Sequence, residues 1–527
     1  MDHLIKDVQV VDGTSAPWFR AHVGIEGDEI RVIRDLSTSP EAGKTIDGAG
    51  LVLCPGFIDP HCHSDLWLLR GRKHTAKVLQ GVTTEVIGSD GFSFAPLPPK
   101  RLKELLTFWG GVAGPADPDA PRTESFEGYL ECYEDRIVSN VAPLVGHGTL
   151  RLNVLGWERS RARPGELEAM GRLLRECLEQ GAWGMSTGLT YPPCAYADTE
   201  ELKYLARILG EYGALYVPHE RYTLGDKFKD AMRETIEVAR YGGCPAYVDH
   251  LFVTGLFRGR SGELLKLVEE AREKGVDVTF NQHPYDAAAT ALWALLPAWL
   301  MDGGPEEFLG RIADPEVRRR VAQEMSGRRR GTFEASEWES IFVGGVASER
   351  NRWAEGLPVG EAASRAGKEV LDFVCDLLVE ENLMVNVVIR RSVEEDIPNI
   401  FVHPLQIVCS DGILFGGKVH PREYGTFPKA IREYWRERGL LTLEQVVHKM
   451  TGATAASLGL EDRGLIKDGF KADIVIFAPE RIRDTATYED PVRSPEGIEY
   501  VFVNGRPVVE KGKFTGKLAG RVLRRNA

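Results

Sequence analysis

A chain of 527 residues, 43% hydrophobic and 27% charged, has ample material for a large core and exceeds one ordinary domain, although a barrel with insertions can run past about 400 residues as one unit. A formal net charge of -13 argues against nucleic acid or an anionic membrane as the main partner. No stretch approaches the roughly 20 apolar residues of a membrane helix, the opening MDHLIKDVQVVDG is too polar for a signal peptide, and the eight cysteines lack CxxC spacing, so a cytoplasmic protein with reduced thiols is expected.

Residues 1–54 read as short strands between glycine turns: HLIKDVQVVDG, AHVGIEGDEIRVIRD and KTIDGAGLVLCPG alternate apolar and polar positions. Between 55 and 455, β-branched runs alternate with longer helical patterns. GELEAMGRLLRECLEQ precedes AWGMSTG, EELKYLARILGEYG precedes ALYVPHE, and FKDAMRETIEVARYGG precedes CPAYVDH. Helix-then-strand units of this length imply parallel strands with right-handed crossovers. Their repetition predicts an α/β fold, a (β/α)8 TIM-like barrel. A doubly wound sheet shares the pattern, but the histidine placement below favours the barrel.

The stretch from about 300 to 399 breaks the rhythm with helix-forming, charged strings such as DPEVRRRVAQEM and GKEVLDFVCDLLVEE, and is read as a helical insertion near the mouth of the site. Residues 111–125 read as a long loop, either a lid or a surface loop. The final segment, 456–527, has the texture of the first, with RGLIKDGFKADIVIFAPERI and EYVFVNGRPVVEKGKF. Neither end can hold a good core alone, so the two are expected to combine into one small β-sandwich; two separate appendages are the simpler alternative.

The chemistry concentrates in PGFIDPHCHSD, where His61 and His63 are spaced i, i+2. On a strand that spacing puts both imidazoles on one face, where they can clamp one metal ion. His219 in ALYVPHE and His250 in PAYVDH also end strand-like runs. A lone histidine after an apolar run is usually a satisfied core residue, but recurrence in successive units matches how barrel sites are built from strand ends. Asp411, in IVCSDGILFGG, is either a turn residue or a carboxylate able to take a proton from water and return it to a leaving nitrogen. GSDGFSFAP with Asp90, STGLTYPP with Tyr191 and HPREYGTFP with Arg422 are further polar, turn-like strings.

These strings, in order along nearly the whole chain, resemble the amidohydrolase superfamily and within it the D-aminoacylases, or N-acyl-D-amino-acid deacylases. The histidine pair alone identifies only the superfamily; STGLTYPP and HPREYGTFP are far more specific. The resemblance implies one metal site at His61, His63 and Asp411 and a second at His219 and His250. The residue shared between the sites is a cysteine in the family's string GNCG; here GSDG puts Asp90 in its place, with Glu85 as a second candidate. Zn2+ is the first expectation, as one or two ions; because a carboxylate is harder than a thiolate, Mn2+, Co2+ or Fe2+ are also accommodated.

The expected partner is a small-molecule amide, neither nucleic acid nor membrane; a homo-oligomer is left open. The implied reaction is metal-assisted hydrolysis of a linear amide, with Asp411 as general base and acid, Tyr191 as a donor to the carbonyl oxygen, and His147 facing the mouth or serving the structure. Rivals are another superfamily reaction on a neutral or aromatic amide, cyclic imide, formamide or carbamate, a phosphotriesterase-like activity, and a non-catalytic metal-binding homologue. The substrate side departs from the family pattern: Phe252 stands for a lysine, His283 for a tyrosine and Ala289 for a serine, leaving Arg422 from the residues that hold the substrate carboxylate. Phe252, with Trp293 in the same region, offers apolar surface. The expectation is a bulky or apolar amine half, its carboxylate absent or held by Arg422 alone; alternatively Arg221 or His283 has taken over.

Overall fold

The computed structural model describes residues 1–38, 40–115, 122–222, 228–253, 257–326, 335–391 and 394–525. The N-terminal segment forms β1 (His3–Val10), β2 (Phe19–Glu26), β3 (Glu29–Ile33), β4 (Lys44–Asp47) and β5 (Val52–Pro55). A parallel sheet follows, made of β6 (Phe57–Asp59), β7 (Val82–Ile87) and β8 (Asn140–Pro143). A second parallel sheet runs through β9 (Val145–Gly146), β10 (Gly184–Gly188), β11 (Leu215–His219), β12 (Ala246–Val248) and β13 (Val278–Gln282).

Next come β14 (Ala287–Ala291), β15 (Ile341–Val346) and β16 (Val385–Arg390), an antiparallel trio in the order β14-β16-β15. The 300–399 stretch is therefore not wholly helical. IFVGGV, between the helices Pro315–Ser326 and Val359–Arg365, and VNVVIR, after the helix Val370–Glu380, are strands rich in β-branched residues. β17 (Gln406–Val408) then adds to the second parallel sheet beside β13.

The two parallel sheets meet at both edges. Between β8 and β9, the Leu144 N–H donates to Ile87 O at 2.9 Å and the Trp183 N–H to Pro143 O at 2.8 Å. On the other side, the Asp411 N–H donates to His61 O at 2.9 Å and the His63 N–H to Gly412 O at 3.2 Å. One apolar cluster draws Ile58, Val86, Ala142, Val217, Tyr247 and Ile407 from strands of both sheets. The helices cover the outside with one apolar face each. The helix Thr199–Glu211 buries Leu202, Leu205, Ala206 and Leu209, at the spacing of one helical face, and Asp198 caps it by accepting from the Glu201 N–H at 3.0 Å. Each fully buried leucine there contributes roughly 1.5–3 kcal/mol.

The C-terminal strands β18 (Ile474–Phe477), β19 (Ile498–Val503), β20 (Arg506–Glu510) and β21 (Lys513–Phe514) join the N-terminal ones in a single nine-stranded sheet, β18 pairing antiparallel with β5. Alternation along these strands serves two cores. Leu53, Ile474 and Ile476 point into a cluster made within the terminal segments, whereas Val52, Cys54, Val475 and Phe477 pack with Phe57, Val82, Val408 and Phe427 of the central body. The alternation read from the sequence is thus a strand with two buried faces. The expected loop at 111–125 begins inside the helix Pro99–Ala113, and its centre lies outside the described residues.

Candidate active site

The carboxyl ends of parallel strands are where α/β folds build sites, because the connecting loops there leave the last strand residues converging on one opening. His61 and His63 follow β6, Asp90 follows β7, His219 ends β11, His250 follows β12 and Asp411 follows β17. Three of these residues have left-handed backbone: Asp90 at φ 54°, His250 at φ 31° and Asp411 at φ 49°. Such conformations are costly for side-chain-bearing residues and are retained where the surroundings over-determine them. In GSDG, Gly88 and Gly91 are left-handed as well, at φ 79° and φ 78°, so the string is a tight turn that swings the Asp90 carboxylate over the strand ends.

All six side chains are buried and meet. Asp411 Oδ1 lies 3.4 Å from His61 Nε2 and 3.3 Å from His63 Nε2. Asp90 Oδ1 lies 3.1 Å from His219 Nδ1, 3.5 Å from His250 Nε2 and 3.7 Å from His61 Nε2, while its Oδ2 is 3.7 Å from His63 Nε2. Among the described residues, two sets of three have ligand atoms within 4.8 Å of one another: His61, His63 and Asp411, and His61, Asp90 and His250. Asp90, a member of the second set, also lies 3.7 Å from His63 of the first, whereas Glu85 is turned away onto His74 at 3.1 Å and Ser139 at 2.5 Å. His61 Nε2 is buried with no hydrogen-bond partner, an orphan that a cation among these donors would satisfy. Imidazole nitrogens and carboxylate oxygens suit a divalent transition metal, zinc first.

The residues behind the cluster set its charge. Burial alone would raise the Asp90 pKa, but His219 and His61 outweigh it and hold the carboxyl well below its usual range. Asp411 is likewise held down, against burial, by Arg422, His61 and His63. His61 is pushed well above its usual value despite burial, chiefly by Asp249 and Asp90. Asp249 escaped the sequence reading, although it is the residue before His250 in YVDH. Its Oδ2 sits 2.9 Å from His61 Nδ1, and Asn281 donates to its Oδ1 at 2.8 Å while accepting the His250 N–H at 2.6 Å. The hydroxyl of Tyr222 stands 3.2 Å from His250 Nδ1. Such partners orient ligating imidazoles, and nothing in local periodicity marks them.

The cluster opens on a cavity of about 80 Å³ lined by Tyr191, Tyr222, Phe252, Ala288, Ala289, Thr290, Ala294, Leu295, Ile389 and Arg391, with Asp90, His219, His250 and Asp411 at its end. Tyr191, Phe252 and Ala289 thus line one cavity together. Arg422 and His283 are not part of the lining. Arg422 is fully buried, with Nη1 2.9 Å from Asp411 Oδ2 and 3.0 Å from His283 Nε2, so both stand behind Asp411. Arg221 is bound to Glu234 at 3.0 Å. Trp293 is set back from the cavity: its ring lies 4.1 Å from that of Phe108, and its Nε1–H donates to Phe108 O at 2.8 Å. His147 does not reach the mouth, because its Nε2 is committed to Glu201 at 2.7 Å in a buried group with Arg151.

Imidazoles and carboxylates gathered at the strand ends of an α/β fold make up the donor set of a divalent-metal site. Against known proteins, the amidohydrolase family model matches residues 44–246 and 410–509. A D-aminoacylase from Alcaligenes xylosoxydans xylosoxydans is 36% identical over 100% of this chain and 98% of its own. An N-acyl-D-aspartate deacylase from the same organism is 33% identical over 99% of this chain and 95% of its own. The solved structure of N-acyl-D-glutamate deacylase from Bordetella bronchiseptica, complexed with zinc and a phosphonate mimic of the tetrahedral intermediate, superposes with a TM-score of 0.84 at 30% identity, covering 100% of both chains. The chain belongs to the amidohydrolase family, in the group of the D-aminoacylases and N-acyl-D-amino-acid deacylases.

Proposed function

We propose that this protein hydrolyses the amide bond of an N-acyl-D-amino acid, releasing a carboxylate and the free amino acid. The observation that carries the reading is the buried cluster of His61, His63, Asp90, His219, His250 and Asp411, of which Asp90, His219, His250 and Asp411 form the end of one cavity. In this reading residues 55–455 are a closed (β/α)8 barrel and residues 1–54 with 456–527 a β-sandwich, supported by the hydrogen bonds at both edges of the parallel sheets and by the shared terminal sheet. A cytoplasmic setting is supported by the eight cysteines, all free. No helix among the described residues is long and apolar enough to cross a membrane.

His61, His63 and Asp411 would hold one ion and His219 and His250 another, with Asp90 between them. When bound, a divalent metal supplies Lewis acidity, lowering the pKa of water towards about 7 and polarising a carbonyl oxygen. Asp411 accepts the proton of the attacking water and passes it to the amide nitrogen as the carbon–nitrogen bond breaks. Arg422, 2.9 Å from Asp411 Oδ2, fixes the plane of the carboxylate and leaves Oδ1 towards the histidines. Tyr191 is kept protonated by burial and by Asp90, and its hydroxyl, 3.1 Å from Thr290 Oγ1, is a donor for the carbonyl oxygen. The apolar wall of Ala288, Ala289, Ala294, Leu295 and Ile389 excludes water and receives the substrate side chain.

The test is turnover by zinc-loaded protein of N-acetyl-D-amino acids, their L-enantiomers, cyclic imides and aryl phosphates. Selective hydrolysis of the D-series supports the reading. Turnover of the imides or phosphates alone would overturn it.

A further inference from the structure

Phe252 stands where the family pattern has a lysine, and Arg422 is spent on Asp411, so no residue of the expected set offers the cavity a free cation. Yet the cavity has one. Arg391, the residue after β16, lays its guanidinium 3.6 Å over the Phe252 ring. Its N–H is tied to Asp286 O at 3.1 Å, which holds the backbone, while no carboxylate among the described residues pairs with the side chain. Other arginines near the site are committed: Arg422 to Asp411, Arg221 to Glu234. Burial and the neighbouring Arg422 lower the pKa of Arg391 to about 10, so the group remains cationic at neutral pH while lacking the anion that would offset its desolvation.

We propose that Arg391, positioned on the face of Phe252, is the anchor for the substrate's α-carboxylate. The inference rests on the amide-hydrolase reading above. Phe252 packs against Tyr222, with ring centroids 4.6 Å apart, and its ring lies 6.2 Å from that of His250. The cation therefore stands off the histidine cluster by about the breadth of one aromatic ring, and the α-carboxylate of an N-acyl amino acid is three bonds from the scissile carbonyl carbon. A guanidinium fork matches a carboxylate bidentately, and stacking on a ring leaves its edge free to do so. The place of one lysine is thereby filled by two residues remote in sequence, an aromatic platform and an arginine from another strand. A substrate without a carboxylate, expected from the loss of the lysine, would leave this cation unpaired.

The experiment measures calorimetric binding to the metal-loaded full-length protein of two non-hydrolysable probes: the analogue of N-acetyl-D-leucine in which CH2 replaces the amide NH, and the carboxamide of that analogue. The wild type is expected to bind the carboxylate probe roughly tenfold or more tightly than the carboxamide. Arg391→Met should abolish that preference with the carboxamide affinity unchanged, and Arg391→Lys should retain part of it. Equal binding of the two probes by the wild type, or a preference that survives in Arg391→Met, would overturn the proposal. Preferential carboxylate binding without any hydrolysis of N-acetyl-D-leucine would bring down the proposed reaction and leave the anchor standing.

Discussion

Asp411 divides its two oxygens between opposite duties: Oδ1 faces His61 and His63 at 3.4 and 3.3 Å, and Oδ2 is held by Arg422 at 2.9 Å. One oxygen is left to the reacting end of the cavity while the other fixes the plane of the carboxylate. Asp411→Asn keeps the shape but cannot take up a proton at neutral pH, and kcat should fall about a hundredfold or more. Arg422→Met should lower kcat by roughly tenfold or more with little change in KM, because Arg422 lies outside the cavity lining. A variant with raised KM and normal kcat would instead mark Arg422 as a substrate contact. Steady-state kinetics on folded protein, checked by circular dichroism, separates the two.

Metal retention should depend on residues beyond the direct donors. His219→Ala and His250→Ala should each lose bound metal, and Asp249→Asn should weaken binding by about 10–100-fold through the loosened His61 ring. Asp90→Cys, which restores the family's residue, should hold zinc while losing manganese-supported activity, since a thiolate is the softer donor. Elemental analysis after dialysis reads the metal content of all four and turnover in added manganese reads the activity of Asp90→Cys, and full occupancy in His219→Ala or His250→Ala would remove that residue from the donor set.

The Arg151–Glu201–His147 group should behave as structure. Glu201→Gln leaves the buried Arg151 without a counter-charge and should destabilise the protein by about 3 kcal/mol, whereas kcat per folded molecule stays within roughly threefold. A thermal melt beside active-site-normalised kinetics checks this. A large fall in kcat with an unaltered melting temperature would return His147 to the catalytic machinery.

Lys449 gives a pH-dependent stability. It is buried, donates to His403 O and Gln406 O at 2.5 and 3.1 Å, and burial lowers its pKa from 10.5 to about 7. Between those values the unfolded chain binds more protons than the folded one, so unfolding free energy rises with pH across that window and levels off below it. The stability of the wild type relative to Lys449→Met should climb from about pH 7 to pH 10 by at most about 1.4 kcal/mol per unit. Paired melts of the two proteins would show a flat difference if the lysine titrates normally.

Much of this protein is set locally. The apolar runs ending at His219 and His250, and the sending of alternate side chains of Val52–Pro55 and Ile474–Phe477 into two different cores, follow from the two-residue periodicity of a strand, whereas His61 and His63 lie just past the end of β6. The helix-then-strand rhythm determines the parallel α/β body in the same way. What a side chain then meets is decided by tertiary packing. Nothing near Arg422 announces that Asp411 and His283 will absorb it, nothing near His147 foretells Glu201, and the strand VNVVIR that carries Arg391 to the face of Phe252 lies inside a stretch whose flanking strings read as helix. Those pairings join residues distant along the chain and exist only once two elements have docked, because charge and aromatic contacts depend on separations of a few ångströms that no local pattern encodes.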